Sequence, residues 1–175
     1  YYISEKIDGT SSTFVIDPEN GEFLVCSRNQ RKAYQAKCVY HMVAQQYKIK
    51  EILTQYPHLA IQGEIYGPKV QKNLLNAKKL SLAVFTVTDI NTRRRLGLQQ
   101  MMDWCREVGL PTVNIMETGE SFEYTAAMLF DKARGFYPGT KNIREGIVVR
   151  SLNQEVSVKI INNELSYIRF KCKSD

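Results

Sequence analysis

Ser4-Glu5-Lys6-Ile7-Asp8-Gly9-Thr10-Ser11 sets a lysine, a carboxylate and a glycine in one short passage from apolar to polar sequence, and the rest of the chain can be read as supplying partners for Lys6. An ε-amine is a nucleophile only when unprotonated, so its reference pKa of about 10.4 has to be offset by cationic neighbours, a metal or desolvation. In an extended segment Asp8 falls on the same face as Lys6 and can orient or pair with the amine. Gly9 allows a tight turn and the approach of a bulky ligand to the main chain. Taken alone, Lys-x-Asp-Gly also describes a charged strand end before a turn, so the segments downstream have to decide.

Working outward, Ser12 to Asp17 and Glu22 to Ser27 are β-rich runs separated by Pro18-Glu19-Asn20-Gly21, a hairpin pattern. The hairpin sets Lys6 just ahead of one strand and Ser27-Arg28-Asn29 just after the next. Gln30 to Gln35 reads as loop. Lys37 to Tyr56 carries apolar residues at helical spacing and is stopped by Pro57. Leu59 to Tyr66 reads as a strand ending at Gly67-Pro68, Lys69 to Lys79 as a basic loop, Leu80 to Ile90 as a buried strand and Asn91 to Arg95 as a charged turn. A second helix runs from Leu98 to Val108 and closes at Gly109, Thr112 to Met116 is a short strand, and a third helix spans Thr125 to Arg134. Glu145 to Arg150 and Val156 to Ile161 form a last strand pair. Strands in pairs with interspersed helices give an α+β domain rather than regular βαβ winding.

The bulk properties narrow the class. At 175 residues the chain fits one domain, 1–175, with a core of its own. No apolar run approaches the roughly 20 residues of a membrane span, so no membrane partner is expected. Lysine and arginine outnumber aspartate and glutamate by 24 to 18, a formal charge of +6 that favours an anionic partner such as nucleic acid or a nucleotide. Cys26, Cys38, Cys105 and Cys172 have neither zinc spacing nor a disulfide pattern, which suggests a reducing, intracellular and cytoplasmic setting. The start at Tyr1-Tyr2-Ile3, with Lys6 so near it, suggests a piece of a longer protein.

Ser27-Arg28-Asn29, Gly63-Glu64-Ile65-Tyr66-Gly67, Glu145-Gly146-Ile147-Val148-Val149-Arg150 and Ser157-Val158-Lys159-Ile160-Ile161 each join a charged residue to a strand end. With Lys6-Ile7-Asp8-Gly9 they resemble, in order, the motif series of the covalent nucleotidyltransferases, the superfamily of ATP-dependent DNA and RNA ligases and mRNA capping enzymes. Glu5-Lys6-Ile7-Asp8-Gly9-Thr10-Ser11, Ile61-Gln62-Gly63-Glu64-Ile65-Tyr66-Gly67-Pro68 with Gln71-Lys72-Asn73, and Ser157-Val158-Lys159-Ile160-Ile161-Asn162-Asn163 are more similar to RNA ligases. They are most similar to the branch in which an OB-like domain precedes the nucleotidyltransferase domain. The resemblance runs from Ser4 to about Ile161 and implies the ATP-grasp-like nucleotidyltransferase fold, two mainly antiparallel sheets with flanking helices and the nucleotide between them.

It also implies roles. Lys6 would attack the α-phosphate of ATP to give lysyl-AMP, and Asp8 would orient the lysine or a metal-bound water. Glu5 and Ile7 flank the nucleophile in the nucleotide pocket. Arg28 and Asn29 would meet phosphate or ribose oxygens, and Glu64 the ribose hydroxyls. Phe85 would stack on adenine, although a core phenylalanine is the common occupant of such a strand. Glu145 would bind Mg²⁺ or Mn²⁺. The last motif departs from the family's Lys-x-Lys clamp on the α-phosphate. Lys159 has the right context but is followed two residues later by Ile161, whereas Lys171-Cys172-Lys173 has the spacing but lies further on.

The activity implied is that of an ATP-dependent RNA ligase, sealing RNA 5′-phosphate to 3′-hydroxyl ends, with a nicked duplex as one form of the substrate. A DNA ligase, a capping guanylyltransferase and a non-catalytic nucleic-acid-binding module are the alternatives. Lys69, Lys72, Lys78, Lys79 and Arg93-Arg94-Arg95 are either a path for RNA or a solvated face. His41 and His58 read as structural, and the oligomeric state is open.

Overall fold

The computed structural model describes residues 1–162 of the chain. Nine strands form two antiparallel sheets among these residues, and four helices flank them. The first sheet holds, in order, β7 (Ile115–Thr118), β1 (Tyr2–Lys6), β8 (Gly146–Arg150) and β9 (Ser157–Ile161); the second holds β3 (Phe23–Ser27), β2 (Thr10–Ile16), β4 (Leu59–Tyr66), β5 (Ser81–Asp89) and β6 (Arg94–Arg95). The α+β architecture expected from the strand and helix pattern is thus the one observed.

The chain crosses from one sheet to the other at the opening motif. Tyr2–Lys6, read above only as an extended approach to Lys6, is a full strand at the centre of the first sheet, with Ile3 opposite Val149 and Lys6 opposite Gly146. Ile7 to Gly9 then bend and β2 enters the second sheet. Gly9 is required there, since a Cβ would stand 2.3 Å from the Ile65 carbonyl oxygen of β4. The hairpin forms as the turn residues dictate, pairing Phe14 with Val25 and Ile16 with Phe23, and Gly21 takes φ 71°.

Alternation decides which face each sheet buries. Phe14, Val25, Ile61, Ile65, Leu82 and Val84 pack under α1 (Val39–Gln46), α2 (Ile49–Gln55) and α3 (Leu98–Glu107) through Val43, Ile49, Leu53, Met101 and Cys105. Ile3, Ile147, Val149 and Ile160 of the first sheet pack with Leu129 and Ala133 of α4 (Ala126–Ala133), whose Thr125 hydroxyl caps the Met128 N–H. The inward faces of the two sheets meet over a small cluster of Ile7, Ala83 and Val113.

Three local readings are corrected. Lys37 to Tyr56 is two helices, because Lys48 adopts a left-handed conformation at φ 51° that an α-helix cannot contain. Arg94 and Arg95 form a short strand against Thr88 and Asp89 rather than a turn. The strand placed at Thr112 to Met116 begins later, at Ile115, and Thr112 instead makes an isolated parallel bridge to Val84.

A buried polar network bolts the sheets together at one end. Arg150 of β8, 8% exposed, donates to the Phe85 carbonyl (2.5 Å), Thr86 Oγ1 (2.9 Å) and Gln154 Oε1 (3.3 Å), and its Nε donates to Ser157 Oγ (3.2 Å). Among the described residues these acceptors are neutral, so the guanidinium is satisfied by geometry rather than by a counter-charge.

Candidate active site

A cleft of about 200 Å³ opens between the inward faces of the two sheets. Ser4, Lys6, Val148, Arg150 and Lys159 line it from the first sheet, and Ser11, Gln62, Glu64 and Phe85 from the second, with Arg28 at the end of β3. Each pair arises from strand periodicity: Ser4 and Lys6, Gln62 and Glu64, and Val148 and Arg150 are two apart and share a face.

Phe85 shares its face with Ala83 two residues earlier, and a β-bulge resets the alternation just after it. Gln62 pairs with Thr86 and Gly63 with Val84, so Phe85 is the extra residue of a β-bulge. Val84 and Val87 both face the helical core while Phe85 lines the cleft. The Arg150 guanidinium carbon lies 5.3 Å from the Phe85 ring centroid.

At the opposite end of the cleft Lys6 Nζ lies 2.6 Å from Glu145 Oε2. Glu64 belongs to the same cluster. Burial pushes its carboxyl up to about 7, and Glu145 adds to the rise while Lys6, Arg28 and Lys159 pull against it. A carboxyl raised by burial inside a cleft, with three cations pulling against the rise, marks a candidate ligand site.

The other residues singled out in the sequence sort as follows. Ile7, 8% exposed, and Glu5 line the cleft, and the Glu5 carboxylate comes within 4.0 Å of Arg144 Nη1. Burial raises the Glu5 carboxyl, against Arg144 and Asn114. Asn29 is exposed and joins Arg28, Glu64 and Gln71 in an adjoining shallow depression. Asp8 is 4% exposed and is not among the cleft-lining residues. The bend after β1 ends the alternation that would have put it on the face of Lys6. Lys171 and Lys173 lie outside the described residues. Lys159 lines the cleft, and Ile161, two residues on in β9, occupies the same-face position where the motif series has its second lysine.

Lys69, Lys72, Lys78 and Lys79 are exposed on the loop between β4 and β5. Arg93, Arg94 and Arg95 line a separate depression with Gln100 and Gln154, and Arg95 donates to the Gln154 carbonyl, so the arginine run does not border the cleft. Sequence reading gave no role to Ser4, Ser11, Gln62, Val148 or Arg150. The signal for Ser4 and Gln62 was present, since each stands two residues from a motif residue on the same strand, Lys6 and Glu64.

A group of three or more His, Cys, Asp or Glu side chains able to hold a metal by themselves is absent among the described residues. Glu145 beside Glu64 fits the other arrangement, in which one or two carboxylates and the phosphate oxygens of a nucleotide share a hard divalent ion. Among the described residues no helix is long and apolar enough to cross a membrane.

A family model described as RNA ligase matches residues 1–172. Among solved structures the chain is similar to Naegleria gruberi RNA ligase. An alanine mutant of that protein with ATP and Mn superposes with a TM-score of 0.88 at 25% identity, covering 95% of this chain and 50% of that one. The protein with PPi gives 0.88 at 26% identity, over 97% and 51%. A further alanine mutant with AMP and Mn gives 0.87 at 25% identity, over 95% and 51%. The chain therefore spans about half the length of the solved structures it matches. No curated protein matches it.

Proposed function

Since the chain belongs to the RNA ligase family, we propose that its cleft carries out the nucleotidyl-transfer chemistry of an ATP-dependent RNA ligase, with Lys6 as nucleophile. The observation that carries this reading is the convergence of Lys6, Glu145, Glu64, Arg28 and Lys159 at one end of a cleft whose other end is closed by Phe85 and Arg150. Cations and carboxylates gather where a triphosphate and its ion would lie, and an aromatic ring with Val148 stands where a base would. Naegleria gruberi RNA ligase has been solved with ATP and Mn and with AMP and Mn, which supports the same ligands here.

In the first step the Lys6 amine attacks the α-phosphorus of ATP. The N–P bond forms as the bond to the pyrophosphate oxygen breaks, and the amine's proton is lost to solvent or a cleft carboxylate. Arg28 and Lys159 hold the negative charge that grows on the phosphate oxygens. Glu145 would hold a divalent ion, which would supply further positive charge to the phosphate. Glu64 accepts from the ribose hydroxyls, and Phe85 and Val148 sandwich the adenine. In the second step a 5′-phosphate oxygen of RNA displaces Lys6 from AMP. In the third a 3′-hydroxyl attacks that 5′-phosphate, AMP leaves and the strand is sealed.

Intact-protein mass after incubation with ATP and Mg²⁺ or Mn²⁺, beside GTP and NAD⁺, tests the reading. An AMP adduct from ATP alone that is absent in Lys6→Ala is expected. A folded protein that takes up no nucleotide would overturn it in favour of a non-catalytic nucleic-acid-binding module, and a GMP adduct would turn it toward capping chemistry. RNA against DNA ends as acceptors of the AMP separates the two ligase classes.

A further inference from the structure

Between α4 and β8 runs Phe136-Tyr137-Pro138-Gly139-Thr140, a stretch to which neither the sequence motifs nor the cleft assigns a role. Its Tyr137 is 1% exposed and does not line the cleft. The segment is held in place by a bridge between Phe136 and Ile143 and by the Tyr137 N–H bonded to the Asn142 carbonyl at 3.0 Å.

The Tyr137 hydroxyl sits where the two halves of the site meet. It donates to the Lys6 carbonyl at 2.7 Å and accepts from the Asp8 N–H at 3.0 Å and the Glu145 N–H at 3.2 Å. A phenol oxygen has one proton and two lone pairs, so these three bonds use its full capacity. One buried atom thereby fixes the two peptide groups that directly follow the nucleophile, on either side of Ile7, and the backbone of its carboxylate partner. Burial also raises the hydroxyl pKa well above its ordinary value, which keeps the donor protonated.

Resting on the nucleotidyl-transfer reading above, we propose that Tyr137 is a positioning residue for that reaction: its hydroxyl holds the main chain of Lys6 and of Glu145 in register, so that the amine meets the α-phosphate in line while Glu145 stays beside it. The ladder of β1 and β8 ends at Lys6 opposite Gly146, and Glu145 lies one residue beyond it, so the Tyr137 bonds carry the fixed backbone relation past the strand ends to the residues whose side chains meet at 2.6 Å. Tyr137 touches neither reacting atoms nor nucleotide, so its loss affects the chemical step more than binding.

Tyr137→Phe keeps the ring and removes only the hydroxyl. On the full chain, single-turnover formation of the AMP adduct is expected to slow by about 10- to 100-fold at saturating ATP, with the apparent KM for ATP within about twofold of wild type. Amide hydrogen exchange gives a readout independent of activity. The Asp8 and Glu145 amides are expected to be protected in the wild type and to lose protection selectively in Tyr137→Phe.

An unchanged adduct rate in Tyr137→Phe would overturn the inference. So would a rate and an ATP affinity that fall together with thermal stability, which is what a merely structural tyrosine gives. If the variant does not fold, exchange in the wild type decides: fast exchange at Asp8 and Glu145 overturns the clamp and slow exchange supports it. A wild-type protein that forms no adduct overturns the nucleotidyl-transfer reading itself, a result distinct from a wild-type adduct that Tyr137→Phe matches.

Discussion

Lys6 Nζ and Glu145 Oε2 lie 2.6 Å apart, with side chains 19% and 17% exposed, although one residue ends β1 and the other immediately precedes β8. The pairing follows from the antiparallel register that sets Lys6 opposite Gly146. At this exposure the bond is neither a surface ion pair of negligible value nor a fully buried one.

Replacing Glu145 with glutamine keeps its size and removes its charge. AMP-adduct formation is expected to fall by about 100-fold, with steeper dependence on divalent ion concentration. Lys6→Arg is expected to abolish the adduct, because a guanidinium that stays protonated is no nucleophile. Intact mass against time and metal concentration measures both.

Glu64 gives the nucleotide-free protein a pH-dependent stability. Its carboxyl, raised by burial to about 7 from an ordinary 4.5, holds its proton more tightly in the folded state than in the unfolded one. The folded state binds more protons between these values, so its contribution is fully present below about pH 4.5 and is lost as pH rises through about 7. Urea unfolding is expected to show stability falling by about 1–3 kcal/mol more in wild type than in Glu64→Gln across that interval. Equal slopes would contradict the burial of this carboxyl.

Arg150→Met removes the donor that serves the Phe85 carbonyl, Thr86, Gln154 and Ser157 at the joint between the sheets. Leaving those acceptors without their donor is expected to cost about 2–4 kcal/mol of unfolding free energy, with Arg150→Lys recovering only part because an ammonium lacks the planar fork. Chemical denaturation of the two variants distinguishes a network from simple packing.

Gly9→Ala sets a Cβ 2.3 Å from the Ile65 carbonyl oxygen and 2.8 Å from Glu64 Cγ. Because the nearest atom is backbone, β2 and β4 have to part or the bend has to shift, and a loss of about 2–3 kcal/mol is expected. The adduct rate is expected to fall as well, since the bend follows directly on Lys6. Thermal melting and intact mass on one sample read out both effects.

Phe85→Ala is expected to weaken ATP binding by about 10-fold, through loss of roughly 1–1.5 kcal/mol of ring stacking. Phe85→Leu keeps apolar bulk without the ring face and is expected to fall between the two. Calorimetry with Lys6→Ala, which cannot turn over, isolates binding from chemistry.

How far the site was legible depended on how local its cause was. Glu64 and Lys159 were recognisable because the residue types and their order resemble a known motif series, and both line the cleft. The face of Gln62 followed from its strand, yet alternation alone assigns no chemistry to it. The face of Phe85 followed from its strand, but the bulge that returns Val87 to the helical core did not, because a bulge depends on how β5 registers against β4. Asp8 was placed on the face of Lys6 by strand periodicity, which the bend after Lys6 ends. The break at Lys48 was hidden inside an uninterrupted helical pattern, since apolar spacing does not record a single left-handed residue.

By itself the sequence determined most of the element types, the hairpin, the α+β class and the chemical groups available to the cleft, because turn preferences, side-chain periodicity and residue chemistry are properties of short segments. Only the tertiary structure decided that Lys6 meets Glu145, that Arg150 bolts the sheets beneath Phe85 and that Tyr137 holds the backbone that directly follows the nucleophile. Those contacts join residues far apart in the chain, and they are set by strand register and by the buried polar groups that folding must satisfy, neither of which a local pattern encodes.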